Sequence, residues 1–499
     1  MKKFYFLALA LFALSSLAFA QLTPIEQLGK KIYFDKIANP DRQACADCHA
    51  GDVGWTGPIP AINKKGAVYP GAVPQRFGNR KPPSAGYATL SPIFDYDPGE
   101  DLFYGGNFWD GRATGWRLGS PTAEQALGPF LNPVEQNVPT KKDVLQQIAA
   151  SKYAGLWQVV WGAPINFNDI EGEYDRVGLA VAAFEGSAEV NQFTSKYDYV
   201  LAGLTTFTPL EAEGLALFEG QGQCAACHVP PEFTDNTFDN LGIPKNPDNP
   251  FYNMDEVFIN GVPINPLGAA WIDYGLGDFL RGLVADESWR TLPYVPAEML
   301  ALTAAELTEK AGFNDGKHRV PTLRNVDKRK GNGFTKAFGH NGYFKSLEEI
   351  THFYNTRDVE PWPAPEVSAN INVDELGNLG LTAHQEKAIV AFMKTLSDGY
   401  KLPKPKNAPL TIGSATLQIV GANPFNPSTR FSYTLPEAAT VRMDVFNIVG
   451  QKVATLVNGP QAAGEYQVDF SANNLPSGIY LVRLESGREV LTAKVTLIK

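Results

Sequence analysis

The pentapeptide CADCH at residues 45–49, repeated as CAACH at residues 224–228, decides the fold of this chain. Two cysteines separated by two residues and followed directly by histidine form the attachment motif for c-type haem, in which both thiols bond to the haem and the histidine binds its iron. The two motifs use every cysteine of the sequence: Cys45, Cys48, Cys224 and Cys227. A pair of thioredoxin-like CxxC sites would need a βαβ context, which the flanking sequence lacks. We therefore predict two covalent haems, with His49 and His228 as iron ligands.

The composition of the 499-residue chain is that of a folded, exported protein. Hydrophobic residues make up 44% and charged residues 19%, and the length suggests several domains. The net charge of -10 argues against nucleic acid as a partner; a basic partner is one explanation of the charge, and a solvated acidic surface is the commoner one. Residues 1–20 combine Lys2 and Lys3, an apolar run and the small residues Ala18 and Ala20, which predicts a signal peptide. No later run is long and apolar enough to predict a transmembrane segment.

A sequence repeat precedes the two haem motifs. TPIEQLGKKIYF begins at Thr23 and TPLEAEGLALF begins at Thr208, and in each a threonine and a glutamate three residues later form a capping box. A helix that leads twice into a CxxCH motif predicts two related α-helical cytochrome c domains, at 21–203 and 204–403. Gly-rich and Pro-rich segments predict long loops around the haems. Further helices are predicted at 141–160, 171–200, 299–312, 346–356 and 382–397.

The sequence pattern changes after residue 403. Residues 404–412 form a linker rich in Lys and Pro, and beyond it the hydrophobic residues recur with a period of two. Alternating runs at 440–446, 465–470, 478–484 and 490–498 predict a small β-sandwich at 413–499, which contains no His or Cys and so offers no haem ligand. The predicted fold is mainly α, with two c-type cytochrome domains with long loops, followed by a small C-terminal β-sandwich.

The region from about residue 22 to residue 403 resembles the bacterial di-haem cytochrome c peroxidase and MauG family. The resemblance rests on the two CxxCH motifs, FWDGRA at 108–113, VPTLRNV at 320–326 and GHNG at 339–342, in the order found in the family. It implies an oxidoreductase that binds hydrogen peroxide at the haem of the N-terminal, peroxidatic domain. The second haem is then expected to relay electrons.

The resemblance also assigns residues around the first haem. The stretch AEQALGPFLNPVEQ at 123–136 matches the distal segment of the family, which implies that Gln125, Pro129 and Glu135 lie over this haem. Glu135 is expected to act as acid and base and Gln125 as the orienting donor, because splitting peroxide requires a proton to leave one oxygen and join the other. Trp109, within FWDGRA, corresponds to the tryptophan that relays charge between the haems.

The sequence offers the first iron no evident sixth ligand. No histidine lies between residues 50 and 227, and no methionine lies between Met1 and Met254, whereas many family members close the first haem with a histidine shortly after CxxCH. The first iron is therefore predicted to be five-coordinate, with a face open to peroxide. The alternative is a ligand from a distant segment.

The second iron is expected to bind a tyrosine. In the peroxidases a methionine follows the histidine of the GHNG-like motif by fourteen residues, and here the same step from His340 reaches Tyr354, as in MauG. On the predicted helix Tyr354 shares a face with Leu347 and Ile350, whereas the rival ligand His352 points away. A tyrosinate stabilises higher oxidation states of iron, while methionine suits electron entry. A buried structural tyrosine is the alternative.

Further family positions lie between the haems. The resemblance places three residues near the propionates and the domain junction, where a purely structural role is the alternative: Arg324, Asn325 and His340. Family members often bind calcium between the haems through an asparagine and two backbone carbonyls. In this chain the corresponding groups are Asn79, Thr335 and Ala337, although Lys81 stands at the asparagine position itself.

The C-terminal module resembles the sorting domain of type IX secretion substrates, through NPFNPSTRFSYTLPE at 423–437, VFNIVGQKVATLV at 445–457 and LPSGIYLVRL at 475–484. This implies export by the type IX machinery, via the periplasm, to the cell surface, the outer membrane or the medium; an ordinary adhesive sandwich is the alternative. The expected function is an exported di-haem peroxidase that takes electrons from a cytochrome or another redox protein. Two alternatives stay open: MauG-like, peroxide-dependent oxidation of a protein or organic substrate, and non-enzymatic electron transfer.

Overall fold

The computed structural model describes residues 22–402, except 332, and residues 415–498, except 437, 448–450 and 488. The described residues form two compact units, 22–402 and 415–498, which are described separately. The predicted signal peptide at 1–20 and the predicted linker at 404–412 lie outside the described residues. None of the described helices combines the length and the hydropathy that crossing a bilayer requires.

Helices connected by long loops build the first unit, which confirms the predicted mainly helical architecture. The α-helices are α1 (Pro24–Phe34), α2 (Cys45–Cys48), α3 (Pro60–Asn63), α4 (Pro121–Leu131), α5 (Lys141–Ala150), α6 (Ala154–Trp161), α7 (Ile170–Glu185), α8 (Lys196–Leu201), α9 (Pro209–Glu219), α10 (Leu276–Ala285), α11 (Ala297–Ala301), α12 (Ala304–Phe313), α13 (Leu347–Thr356) and α14 (Ala383–Lys394). Short antiparallel pairs lie within the loops: β1 (Asp95–Asp97) with β2 (Leu102–Tyr104), β3 (Phe238–Asp239) with β6 (His318–Arg319), and β4 (Phe258–Ile259) with β5 (Val262–Pro263).

Three of the predicted helices are interrupted in the structure. The one at 299–312 is divided between α11 and α12, whose N-cap is Thr303, and the two longer ones break as well. The predicted helix at 171–200 ends with α7, whose C-cap is Gly186, and a new helix, α8, starts behind the N-cap Ser195. The predicted helix at 141–160 is divided after α5, whose C-cap is Ser151. Glycine and serine favour helix ends, because glycine loses the most backbone freedom in a helix and the serine hydroxyl can bind a free backbone N–H. The apolar periodicity continues across the breaks in the two longer helices, which is why it overstated their lengths.

The same helix crossing occurs in both halves of the first unit. Helices α1 and α9 begin with the two capping boxes that the sequence repeat predicts. Helix α1 crosses α7 where Gly29 faces Ala180, and α9 crosses α14 where Gly214 faces Ala388. A Cβ atom on Gly29 would lie 1.8 Å from the carbonyl oxygen of Ala180, and one on Gly214 would lie 1.9 Å from that of Ala388. Each crossing therefore depends on a glycine.

Three hydrophobic clusters hold the first unit together. One cluster packs α1, α4, α5 and α7 around residues such as Phe184, and a second packs α9, α13 and α14 around Phe392. A third joins the loop that carries Phe94 and Trp116 to α10 and α12, which contribute Leu280 and Leu307. Because the third cluster combines residues from both halves of the sequence, the halves share buried surface.

Two antiparallel sheets build the second unit, which confirms the predicted C-terminal β-sandwich. Its strands are β7 (Thr416–Ile419), β8 (Ser428–Leu435), β9 (Ala439–Asn447), β10 (Lys452–Gln461), β11 (Gly464–Ser471), β12 (Gly478–Ser486) and β13 (Glu489–Leu497). They form one sheet in the order β10-β9-β12-β13 and another in the order β11-β8-β7. Side chains from both sheets, including Phe431 and Met443, share one core. The predicted strands correspond to β9, β11, β12 and β13, while β7, β8 and β10 were not predicted.

Candidate active site

The first CxxCH motif forms one helical turn and its C-cap. Cys45 and Cys48 stand three residues apart on α2, which directs both free thiols to the same side of the helix. His49 follows at the C-cap, and its Nδ1 lies 3.3 Å from the carbonyl oxygen of Trp55. Burial lowers the pKa of His49 to about 4, so the ring is neutral and its Nε2 can bind a metal.

The second motif repeats this arrangement. Cys224 lies in a short 3-10 turn, Cys227 follows as its C-cap, and both thiols are free. The Nδ1 of His228 lies 2.9 Å from the carbonyl oxygen of Phe233, and burial lowers the pKa of this histidine. A carbonyl that orients one ring nitrogen is the usual partner of a metal-binding histidine.

Each motif opens into a cavity that fits a c-type haem. The non-atom space at the first cavity, including its opening to solvent, is about 1340 Å³, and that at the second is about 1740 Å³. Burial raises the pKa of Cys45, Cys48 and Cys224 to about 12, so the thiols are uncharged. Two reduced thiols and an oriented, neutral imidazole are the donor set that c-type haem attachment requires.

The structure brings the predicted distal residues together in the first cavity. Gln125 and Pro129 lie four residues apart on α4 and both line this cavity, as does Glu135 just beyond the helix. The Nδ2 of Asn132 donates a 2.8 Å hydrogen bond to Oε2 of Glu135. Burial raises the pKa of Glu135, while the charge of Arg112 and the Asn132 hydrogen bond act against that rise. A buried carboxyl with a raised pKa can both accept and return a proton.

Among the described residues, the lining of the first cavity offers no histidine or methionine, other than His49, that could bind iron. His49 is its only histidine, and no methionine lines it, in the part of the chain that the structure describes. The second half of the chain contributes Arg319, whose guanidinium does not ligate iron. The lining therefore agrees with an open face, and five-coordination itself stays a prediction.

Trp109 lies where the two cavities meet and lines both of them. Its Nε1 donates a 2.8 Å hydrogen bond to the carbonyl oxygen of Lys81, and its own carbonyl oxygen accepts one of 2.8 Å from the backbone N–H of Arg319. The ammonium of Lys81 stands 5.5 Å from the centre of the indole ring, within cation–π range. The indole is therefore fixed between the cavities by segments from both halves.

Tyr354 lines the second cavity together with Leu347 and Ile350 of the same helix, α13. Burial raises the pKa of Tyr354, and the nearby Cys224 and Asp239 add to the rise, so the phenol is protonated unless a cation binds it. His352 lies on the surface, where its Nδ1 is 2.9 Å from Glu386 and its Nε2 is 3.3 Å from Glu360. The geometry favours Tyr354 over His352 as the ligand of the second iron.

The three residues predicted near the propionates take different positions. Arg324 lines the second cavity, but its Nη1 donates 2.8 Å hydrogen bonds to the carboxylate of Asp198, and four aromatic rings surround the guanidinium. Asn325 donates a 2.8 Å hydrogen bond to Asp398. His340 lines the second cavity, and its Nε2 is buried without a hydrogen-bond partner. The Nε2 of His340 lies 3.6 Å from Oε2 of Glu366, beyond hydrogen-bond distance.

Two of the three groups predicted to bind calcium, Thr335 and Ala337, flank a buried lysine in the sequence. The carbonyl oxygens of Thr335 and Asn79 accept hydrogen bonds of 3.0 and 2.8 Å from asparagine side chains, and Ala337 lines the second cavity. Lys336, between Thr335 and Ala337, is buried. A calcium ion at this place stays a prediction.

The ammonium of Lys336 connects the two halves. Its Nζ donates hydrogen bonds of 2.9 Å to the carbonyl oxygen of Val53, 2.8 Å to that of Asn325 and 3.3 Å to that of Lys328. Burial and the nearby charge of Lys81 lower its pKa. Three carbonyl acceptors match the three N–H donors of a charged ammonium.

Sequence reasoning missed several residues of the cavities. Arg112 and Asn132, which act on Glu135, stand within the quoted motifs, so a family match could have assigned them. Lys336 and Glu185, a buried carboxyl at the end of α7, stand in stretches with no pattern that marks them. Lysine and glutamate are rarely buried, so composition would place both on the surface.

Comparisons with known proteins find matches for both units of the chain. Residues 24–206 match the family model described as di-haem cytochrome c peroxidase, and residues 423–499 match the secretion system C-terminal sorting domain. The chain is 31% identical over 395 residues to methylamine utilization protein MauG of Paracoccus denitrificans, covering 74% of this chain and 88% of that protein. It is 26% identical over 375 residues to cytochrome-c peroxidase IdrP1 of Denitromonas iodatirespirans, covering 74% of this chain and 80% of that protein.

A solved structure supports the same relationship. The diheme peroxidase BthA from Burkholderia thailandensis aligns with a TM-score of 0.60 at 26% identity, covering 76% of this chain and 87% of that one. A tyrosine-to-methionine variant of the same peroxidase aligns with a TM-score of 0.58 at 25% identity, covering 75% of this chain and 86% of that one.

Proposed function

Because the chain belongs to the di-haem cytochrome c peroxidase and MauG family, we propose that it is an exported di-haem c-type peroxidase that reduces hydrogen peroxide to water. It is an oxidoreductase of the cytochrome-c peroxidase family and ends in a secretion sorting domain. Two haems, one at each CxxCH motif, supply the iron chemistry. His49 would bind the first iron, and His228 and Tyr354 would bind the second.

Proton movement is the task of the residues in the first cavity. Reducing one peroxide molecule to two water molecules consumes two electrons and two protons. Glu135 takes the proton from the peroxide oxygen nearer the iron and returns it to the departing oxygen, while Gln125 orients the peroxide by a hydrogen bond. Asn132 holds the carboxylate of Glu135 in place through its 2.8 Å hydrogen bond, and Pro129 fills the adjacent wall.

Electron movement depends on Trp109. The indole lines both cavities and donates a hydrogen bond to the carbonyl oxygen of Lys81, while the backbone carbonyl of Trp109 accepts one from the backbone N–H of Arg319, so the residue is held between the two cavities. The contact of one fixed indole with both cavities is the single observation that carries the proposal, because a peroxidase must pass charge between the two sites. The electron donor is a cytochrome or another redox protein.

Resting-state EPR and peroxide turnover test the proposal together. We expect a high-spin ferric signal from one haem and a low-spin signal from the other, with peroxide reduction supported by a reduced cytochrome or dye. Turnover no faster than free haem, with or without prior reduction, would contradict the proposed function. Two low-spin haems without turnover would instead establish the non-enzymatic electron carrier.

A second candidate function is peroxide-dependent oxidation of a protein or organic substrate. Tyr354 favours it, because an anionic phenolate stabilises oxidised iron more than methionine does. The test compares Tyr354→Met with the native protein by the optical and EPR spectra of the low-spin haem. Unchanged spectra would show that Tyr354 is not a ligand and would remove the support for this candidate.

The C-terminal sorting domain directs the protein outward through the secretion machinery. We propose that the enzyme acts at the cell surface or in the medium, after passage through the periplasm. Fractionation of cells that carry the chain with and without residues 415–498 tests this location. Retention of the truncated, haem-loaded protein in the periplasm is the expected outcome, and unchanged surface delivery would contradict it.

A further inference from the structure

Glu185, the last residue of α7, is a buried carboxyl that the proposed peroxide chemistry does not use. It is 4% exposed and lines the first haem cavity, and its Oε2 has no hydrogen-bond partner. Among the described residues no basic side chain forms an ion pair with it, and burial raises its pKa. A buried carboxylate without a counter-charge is strongly disfavoured, so this group holds its proton unless a positive charge stands nearby.

The second half of the chain provides an internal comparison. In the two equivalent helix crossings Gly29 faces Ala180 and Gly214 faces Ala388, so the residue five positions after each alanine is equivalent. In the first half that residue is Glu185, and in the second it is Met393, which lines the second cavity. The same place in the fold is therefore acidic at the first haem and apolar at the second.

Few titratable groups act on Glu185. A negative charge on Glu185 raises the pKa of Tyr33, on α1, and that of Cys45, on α2. Tyr33 donates a 2.8 Å hydrogen bond to the carbonyl oxygen of His49, and burial raises its pKa well above the ordinary value, so it stays neutral. Cys45 becomes a thioether when haem is attached and no longer titrates. Five other charged side chains line this cavity in the described part of the chain: Arg80, Lys81, Arg112, Glu135 and Arg319. Arg112 acts on Glu135, and none of the five accounts for the raised pKa of Glu185, whose cause is burial.

We propose that Glu185 is the protonation site linked to reduction of the first haem. One electron that arrives at this iron from the second haem is accompanied by one proton that binds Oε2 of Glu185. The proton comes from water and leaves again when the iron is reoxidised. The inference rests on the proposed function, because it requires a haem at Cys45.

The physical reason is the change in charge at the iron. Oxidised iron carries one more positive charge than reduced iron, and a positive charge across a low-dielectric interior favours the carboxylate. Reduction removes that charge, so the carboxyl binds a proton more tightly. Burial raises the pKa of Glu185 to about 8, which places the coupling in the neutral to mildly alkaline range. Glu185 thereby stores, inside the protein, one of the two protons that peroxide reduction consumes.

The test is a redox titration of the holoprotein at several pH values, with each haem followed by its own optical spectrum. As pH rises through the range around 8, the reduction equilibrium constant of the first haem should fall by up to tenfold per pH unit, which is 59 mV for one electron. Glu185→Gln and Glu185→Met, the latter copying the second half, should abolish this slope. Glu185→Asp should retain it, shifted along the pH axis.

Glu173→Gln is the matched control, because Glu173 is buried on the same helix but is paired with Arg176 outside the first cavity. Its titration should match that of the native protein. A slope that persists in Glu185→Gln would overturn the proposal, as would a native protein whose first haem shows no slope.

Infrared spectroscopy of the native protein tests the inference without any variant. The reduced-minus-oxidised difference spectrum should gain the C=O band of a protonated carboxylic acid on reduction, and the band should shift in D2O. Absence of this band would overturn the inference even if the variants fail to fold. The haem content of the same sample separates the two proposals, because a missing first haem contradicts the proposed function, whereas two haems without the band contradict the role of Glu185 alone.

Discussion

Replacement of Glu135 by glutamine should slow peroxide reduction without altering the first cavity. Glutamine has nearly the size of glutamate, and its carbonyl oxygen can still accept the hydrogen bond that Asn132 donates at 2.8 Å. The amide cannot take a proton from peroxide, however, so the acid–base step is lost while positioning is kept. Because Gln125 and the haem remain, peroxide should still bind.

The size of the loss follows from what the carboxylate contributes. A positioned acid or base accelerates its step by about 100-fold to 10,000-fold, so kcat/KM should fall by a factor in this range. This corresponds to about 3–5 kcal/mol of lost transition-state stabilisation. The acid side of the pH profile should change too. In the native protein, burial raises the pKa of Glu135, so activity is lost as pH falls through that raised value; the variant should lack this limb.

The assay is steady-state peroxide reduction by a reduced cytochrome or dye, at equal haem content for each protein. Glu171→Gln, at an exposed carboxylate on α7, is the matched control and should keep full activity. A Glu135→Gln enzyme with kcat/KM within threefold of the native value and an unchanged acid limb would refute the assignment of Glu135 as acid and base.

Three further predictions concern the remaining parts of the first unit. Trp109→Phe keeps an aromatic ring but removes the Nε1 donor to Lys81. It should slow electron transfer between the haems in stopped-flow experiments while both haem spectra stay unchanged. An unchanged rate would exclude the indole from the electron-transfer path. Lys336→Met leaves three carbonyl oxygens without their shared donor, so the free energy of unfolding should fall by about 2–5 kcal/mol in urea titrations, and a loss below about 1 kcal/mol would contradict this role. Gly214→Ala places a methyl group 1.9 Å from the carbonyl oxygen of Ala388 and should destabilise the protein by about 1–3 kcal/mol. The control Gly312→Ala, with no atom within 4 Å of its added methyl, should be neutral or stabilising. Equal unfolding midpoints for the two variants would refute the argument that the helix crossing depends on Gly214.

The sequence was sufficient for the features that depend on local chemistry. The two CxxCH motifs and the capping boxes at Thr23 and Thr208 could be identified because the residues that make them lie within a few positions of each other. The change to a period of two after residue 403 predicted the sandwich for the same reason. The residues of the first cavity were assigned through motif order, since Gln125 and Glu135 lie far in sequence from Cys45.

Most of the features that the sequence did not reveal depend on packing between distant segments. The helix break at Gly186 was missed for a local reason, because the apolar pattern continues past the glycine at the C-cap. Strand β10 was missed because two register irregularities against β9 disturb its alternation. The burial of Glu185 and Lys336 follows from where α7 ends and where two halves meet, and neither position departs from the composition of a surface segment.

The position of Lys336 has a consequence for how the protein matures. Its ammonium reaches a carbonyl four residues after His49 and two carbonyls near Arg324, so all three bonds can form only after both halves have closed. A chain whose two halves have not yet closed on each other lacks the Val53 acceptor and leaves the lysine open to solvent. Accessibility of this single amine to acylating reagents therefore reports completed assembly, and a protease that cleaves after lysine could remove chains that have not reached it.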